Sequence, residues 1–141
     1  MAPETRSRLM SRIRGRDTSP ERAVERMLFE LGLSYETHAR DLPGRPDFVL
    51  REARVVVLVD GDFWHGWQFE RWRLKLSEKW EAKIATNIRR DSRNRRLLRE
   101  AGWIVLRLWE HQVERSPARC RARIRRAVAQ ALRDKEAPGT L

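Results

Sequence analysis

An α/β class, a mixed β-sheet flanked by helices in a single domain, is what this 141-residue sequence predicts, and three observations predict it. Residues 55–59, "VVVLV", are an unbroken aliphatic run that reads as a strand buried on both faces at the centre of a sheet. "WIVLRLWE" supplies another short strand near position 103. Helical stretches precede, separate and follow these strands, which places helices outside a small mixed sheet.

The elements follow in chain order. Residues 1–17 are basic and poor in large apolar side chains, and are expected to form an arm that orders on a partner. Thr18 or Ser19 then caps a helix, Pro20 suits its first turn, and Glu21 favours its positive end. Ala23, Val24, Met27, Leu28 and Leu31 make its apolar stripe, and Gly32 ends it. "SYETHARDLPGRPDFVL" reads as a strand, a turn at Pro43 and Gly44, and a second strand from Asp47. Residues 68–78 read as an irregular, charged excursion. "EKWEAKIATNIRRDSRNRRLLREAG" is a long helix with Trp80, Ile84, Ile88, Leu97 and Leu98 toward the core. "PARCRARIRRAVAQALRDK" is a final helix, the domain spans 18–133, and a loose tail occupies 134–141.

Lys and Arg number 31 against 20 Asp and Glu, a formal net charge of +11 that favours a polyanionic partner, nucleic acid before an acidic membrane. The single cysteine, Cys120, excludes an internal disulfide and a zinc site built from several cysteines, and reads as packing. It suits a reducing cytoplasm. No secretory h-region and no spanning apolar stretch is present, so no membrane partner is expected.

Residues 60–67, "DGDFWHGW", crowd acids, aromatics and a histidine onto the end of the central strand. If the strands around "REAR" pair as a hairpin, Asp47 and the Val59–Asp60 end lie close together. Two oxygen ligands with a few waters are what a magnesium ion accepts, although Asp-Gly is also a common turn pair. His65 has the ordinary pKa of a base that draws a proton from water, or is a packed histidine. Phe63, Trp64 and Trp67 either cover the core or wedge between bases. The arginines of "NIRRDSRNRRLLRE" divide between solvated surface, balanced by Asp91 and Glu100, and phosphate contacts.

In this order, "MSRIRGRDTSPE", "LPGRPDFVL", "GDFWHG", "KIATNIRRD" and "AGWIVLRLWE" resemble the very-short-patch-repair (Vsr) mismatch endonucleases over roughly residues 5–113. The resemblance implies a restriction-endonuclease-like fold and magnesium-dependent nicking beside the thymine of a thymine–guanine mismatch. It maps the metal-binding aspartate onto Asp47, a second ligand onto the Val59 carbonyl, the general base onto His65 and the helix glutamate onto Glu21. It places the inserting aromatics at Phe63, Trp64 and Trp80 and gives the basic arm, with Arg12, Arg14 and Arg16, a clasp on DNA. Trp67, Lys83, Asn87 and Arg90 join these as candidate DNA contacts.

Two positions depart from the family pattern. Asp60 stands where better-studied members carry histidine, and is inferred here as an additional metal ligand and catalytic residue. Asp62, Trp67 and Phe69 occupy the stretch where those members hold a structural zinc, so no zinc is expected and aromatic packing is to hold the loop. The expected protein is thus a monomeric Mg2+-dependent nickase of double-stranded DNA, with Mn2+ as a substitute ion, a 5′-phosphate product and other repair proteins as further candidate partners. The alternatives are a sequence-specific nickase of matched duplex and a non-catalytic binder of distorted DNA. Acids beside phosphates favour catalysis, because they repel the backbone unless a cation intervenes. No aromatic RNP strand supports an RNA-binding protein.

Overall fold

A computed structural model describes residues 19–136. The basic arm, with Arg12, Arg14 and Arg16, and the Thr18 cap lie outside the described residues.

Helix α1 (Ser19–Glu30) places Glu21 in its first turn. Its Val24, Met27 and Leu28 are buried, and Gly32 closes it at φ 71°, where the Leu33 N–H donates to the Leu28 carbonyl at 3.0 Å. Strands β1 (Glu36–Thr37), β2 (Phe48–Leu50), β3 (Val55–Asp60) and β4 (Ile104–Trp109) form one sheet in that order. The β1–β2 and β2–β3 pairs are antiparallel, with Phe48 opposite Val57. β4 runs parallel to β3, Asp60 opposite Trp109, so the sheet is mixed.

Between β3 and β4 the chain makes a crossover through α2 (Phe69–Trp72), a 3-10 turn (Arg73–Lys75) and the 23-residue α3 (Glu78–Glu100). Ser77 caps α3, its side chain accepting from the Trp80 N–H at 3.4 Å. Helices α4 (Glu110–Arg115) and α5 (Pro117–Glu136) follow β4. Residues 68–78, read from sequence as irregular, are largely helical because Phe69 is buried and packs edge-on against Trp72, anchoring one turn. α4 was not expected from sequence at all. Its cap is local: the Gln112 side chain accepts from the Trp109 N–H at 3.0 Å.

Strand alternation divides the core. Val55, Val57 and Val59 face a layer of α1 and α5 side chains that includes Leu28, Ile124 and Val128. Val56 and Val49 face the α3 side, with Leu98 and Trp103. Both faces of β3 are thereby covered, as its unbroken aliphatic run requires. Cys120 is buried in the first layer as a small apolar group, and that burial raises its pKa. On α3, Ile84 and Leu98 are buried and Ile88 is half-buried. Trp80 and Leu97, expected toward the core, are 41% and 39% exposed, and Trp80 packs against Phe63 and Trp64 instead. No helix among the described residues is long and apolar enough to cross a membrane.

Candidate active site

The β2–β3 register fixes the acids. Asp47 directly precedes β2, and its Oδ2 accepts the Val59 N–H at 2.7 Å, so the PD turn is tied to the last residues of β3. Burial is the main force pushing the Asp47 carboxyl up to about 7; the Val59 N–H opposes it, and the carboxylates of Glu21 and Asp60 add to it. Glu21 and Asp47 therefore face each other across one point, where His38 also arrives. The sequence reading brought together Asp47, Val59 and Glu21, and missed His38.

Asp60, the only buried charged residue among those described, is 5% exposed. It points to the α3 side of the sheet, where the Arg107 guanidinium pairs with Oδ2 and His65 Nδ1 lies 3.7 Å from Oδ1. Arg107 is delivered by β4 opposite Leu58, two residues before Asp60 on the same face of the sheet. Asp60 is thus held by a cation of the chain itself, while Glu21, His38 and Asp47 bring possible metal-ligating atoms within 4.8 Å of one another.

His65 is fixed from α3. Its Nδ1 lies 2.5 Å from Asp91 Oδ2. Burial alone would lower the His65 pKa, but the bond to Asp91 and the charges of Asp60 and Asp91 outweigh it and raise the pKa above its ordinary value. With the Nδ1 proton directed at Asp91, the neutral ring presents Nε2 as a proton acceptor. The loop beneath is tight: Gly66 has φ 75°, and a Cβ there would lie 2.4 Å from Ile88 Cδ1.

These groups line a cavity of about 410 Å3, with Glu21, Asp47, Val59, Asp60, His65 and Asp91 on its walls. Arg95, from α3, also lines it, and its Nη1 is buried without a hydrogen-bond partner among the described residues. At the rim Phe63 packs edge-on against Trp64 at 5.1 Å and stacks on Trp72 at 5.4 Å, while Trp64 and Trp80 lie 5.6 Å apart. Phe63 is 42% exposed, so this aromatic group presents a face to solvent. Lys83 sits over the Trp64 and Trp80 rings at 5.5 and 5.4 Å. Asn87 donates to the Trp64 carbonyl at 3.2 Å and accepts from Arg90 at 3.1 Å, which ties α3 to the aromatic loop.

Trp67 stands apart from that group. Its ring lies 4.1 Å from His111, whose Nδ1 is 2.9 Å from Asp62 Oδ1, and its carbonyl accepts the Trp72 indole N–H at 2.9 Å. The loop is therefore fastened to α4 by an Asp62–His111 pair and aromatic packing.

Such a set of acids, a carboxylate-backed imidazole and a guanidinium with one unpaired donor around one cavity is suited to activating water against a phosphodiester. Comparison with known proteins agrees. The family model of the DNA mismatch endonuclease Vsr matches residues 1–71. The chain is 37% identical to the Type II nicking enzyme V.NmeDIP of Neisseria meningitidis serogroup C, over 96% of this chain and 91% of that protein. It is 40% identical to the DNA mismatch endonuclease Vsr of Escherichia coli K12, over 75% of this chain and 69% of that one. The catalytic domain of the homing endonuclease I-Bth0305I shares the fold, with a TM-score of 0.58 at 20% identity, covering 82% of this chain and 98% of that domain. The chain belongs to the Vsr family of DNA mismatch endonucleases, on a restriction-endonuclease-like fold, and is a DNA nicking endonuclease, a phosphodiester hydrolase.

Proposed function

We propose that this chain nicks one strand of duplex DNA beside the thymine of a thymine–guanine mismatch, acting as a monomer with Mg2+, for which Mn2+ substitutes. The observation that carries the reading is the convergence of Glu21, Asp47, Val59 and His65 on one cavity bordered by half-exposed aromatics. A divalent cation fits the donor set: Asp47 is half-buried and desolvated beside two further carboxylates that raise its pKa, and a cation relieves that repulsion. Asp47 and the Val59 carbonyl would hold the ion, with Glu21 ordering a bound water. When bound, it supplies positive charge that polarises the phosphodiester.

His65 accepts the proton of the attacking water at Nε2, and Asp91 holds the ring in orientation and stabilises its cationic form. Water adds to phosphorus and the P–O3′ bond breaks, leaving a 5′-phosphate and a 3′-hydroxyl. Asp60 is an acid where the family pattern has histidine, and Arg107 neutralises it. Arg95, with a donor still unpaired, provides the positive charge to the scissile phosphate. Asp60 assists through its charge on His65 and Asp47; ligation by Asp60 requires release from Arg107.

Phe63, Trp64 and Trp80 insert beside the mismatch, and Lys83, Asn87 and Arg90 meet the backbone near them. The basic arm contributes Arg12, Arg14 and Arg16, and Trp67 supports the loop from below. Strand-resolved cleavage of paired oligonucleotide libraries, with and without a thymine–guanine mismatch, tests the substrate. Nicks confined to the mismatched duplex are expected. Nicks at a fixed short sequence in matched duplex would replace the mismatch reading with that of a site-specific nickase.

A further inference from the structure

We propose that His38 completes the cation site with a nitrogen ligand that strengthens the binding of Mn2+ more than that of Mg2+. The inference rests on the metal-dependent reading above and names a ligand that the sequence pattern did not supply.

Among the described residues, Glu21, His38 and Asp47 offer three ligand atoms mutually within 4.8 Å. Octahedral ligands about 2.1 Å from an ion stand roughly 3 Å apart when adjacent and roughly 4.2 Å when opposite, so side-chain adjustment draws the three atoms onto one ion. His38 Nε2 lies 3.9 Å from Glu21 Oε2, beyond hydrogen-bond reach, so the ring faces the carboxylate across a gap instead of bonding to it.

The backbone sets that place. The His38 N–H donates to the Asp47 carbonyl at 3.2 Å, continuing the β1–β2 pairing in which Thr37 opposes Phe48. His38 also has φ 50°, a left-handed conformation that histidine adopts more readily than most residues. The imidazole is thus carried on the same turn pairing that presents Asp47, and its half-exposed side chain keeps the freedom to close on an ion.

The chemistry separates the two ions. Magnesium takes oxygen ligands in a near-ideal octahedron and keeps several waters. An imidazole added to two carboxylates shifts a site toward transition-metal ions, which accept nitrogen more readily.

The test is Mn2+ binding by calorimetry with pulsed electron paramagnetic resonance on the full chain. Samples are the wild type and the His38→Ala, His38→Asn, His65→Ala and Asp47→Asn variants. The Asn variant tolerates the left-handed backbone, which guards against a folding defect in the Ala variant. Nitrogen hyperfine coupling is expected in the wild type and in His65→Ala, and absent from both His38 variants. Mn2+ affinity should fall about tenfold in those variants, with Mg2+ affinity changed less than about twofold. Mn2+ that binds the wild type without nitrogen coupling, or with coupling lost only in His65→Ala, overturns the assignment of His38 and leaves the metal site standing. Absence of Mn2+ binding, or equal binding to Asp47→Asn, overturns the metal-dependent reading together with it.

Discussion

Replacing Asp47 by Asn should stabilise the metal-free protein at alkaline pH while abolishing its activity. The amide keeps an oxygen to accept the Val59 N–H, yet it removes a charge that burial, Glu21 and Asp60 all oppose. A carboxyl raised from 3.8 to about 7 binds its proton more tightly in the native chain than in the unfolded one. Between those pH values the native state carries the extra proton, so stability falls as pH rises through the window. At about 1.4 kcal/mol per pH unit, the full penalty above pH 7 approaches about 4 kcal/mol. Proton sharing with Glu21 lowers it, and a gain of roughly 2–4 kcal/mol is expected for Asp47→Asn at pH 8. Urea unfolding in the presence of a chelator measures it. At pH 4.5 the gap should shrink below about 1 kcal/mol, since the wild-type carboxyl is then protonated. A divalent ion should stabilise the wild type by mass action and leave the variant unmoved. A variant no more stable than the wild type at pH 8, or a gap identical at both pH values, would refute the reasoning.

Four further outcomes follow from the same geometry. Arg107→Met leaves Asp60 buried without its cation and should cost about 3–5 kcal/mol by urea unfolding, whereas the Asp60→Asn, Arg107→Met double variant should recover much of that loss. Gly66→Ala combines positive φ with a Cβ 2.4 Å from Ile88 Cδ1 and should lose roughly 1–3 kcal/mol, part of it regained with Ile88→Ala. Phe63→Ala should weaken target discrimination in competition binding with little change in Tm, while Trp67→Ala, which strips the support of the loop, should lower Tm. In Asp91→Asn the His65 pKa should drop, because the hydrogen bond and charge that raise it are removed. The acidic limb of the kcat profile then moves to lower pH, since a general base works only when neutral, and kcat itself falls.

The sheet was legible where burial dictates residue type. The aliphatic run of β3 can only be a covered strand, and the hairpin across residues 51–54 follows from its antiparallel pairing with β2. That pairing in turn brought Asp47 to Val59, as the spacing required. Residues 68–78 and α4 were not legible, because their helicity comes from tertiary anchors: Phe69 on Trp72, and Gln112 on the Trp109 N–H. Trp80 shows the limit of helical periodicity, which cannot tell a core position from a half-exposed one.

In the site, the residues missed are those whose partners lie far along the chain. Asp91 read as charge balance among arginines, yet it binds His65 across 26 positions. Arg107 is hidden in an apolar strand, and only the parallel register with β3 delivers it to Asp60. His38 depends on a positive φ that no pattern of side chains announces. Asp60 was legible as an acid at the end of β3, but its pairing with Arg107 was not.

The most direct test of the account is cleavage of a thymine–guanine duplex labelled on both strands, with the wild type and Asp47→Asn compared in the presence and absence of Mg2+ or Mn2+. The account predicts a single nick in one strand, a 5′-phosphate at the break, dependence on the ion and no product from Asp47→Asn. Ion-independent cleavage, or a nick that persists undiminished in Asp47→Asn, would contradict the assignment of this cavity as the catalytic centre.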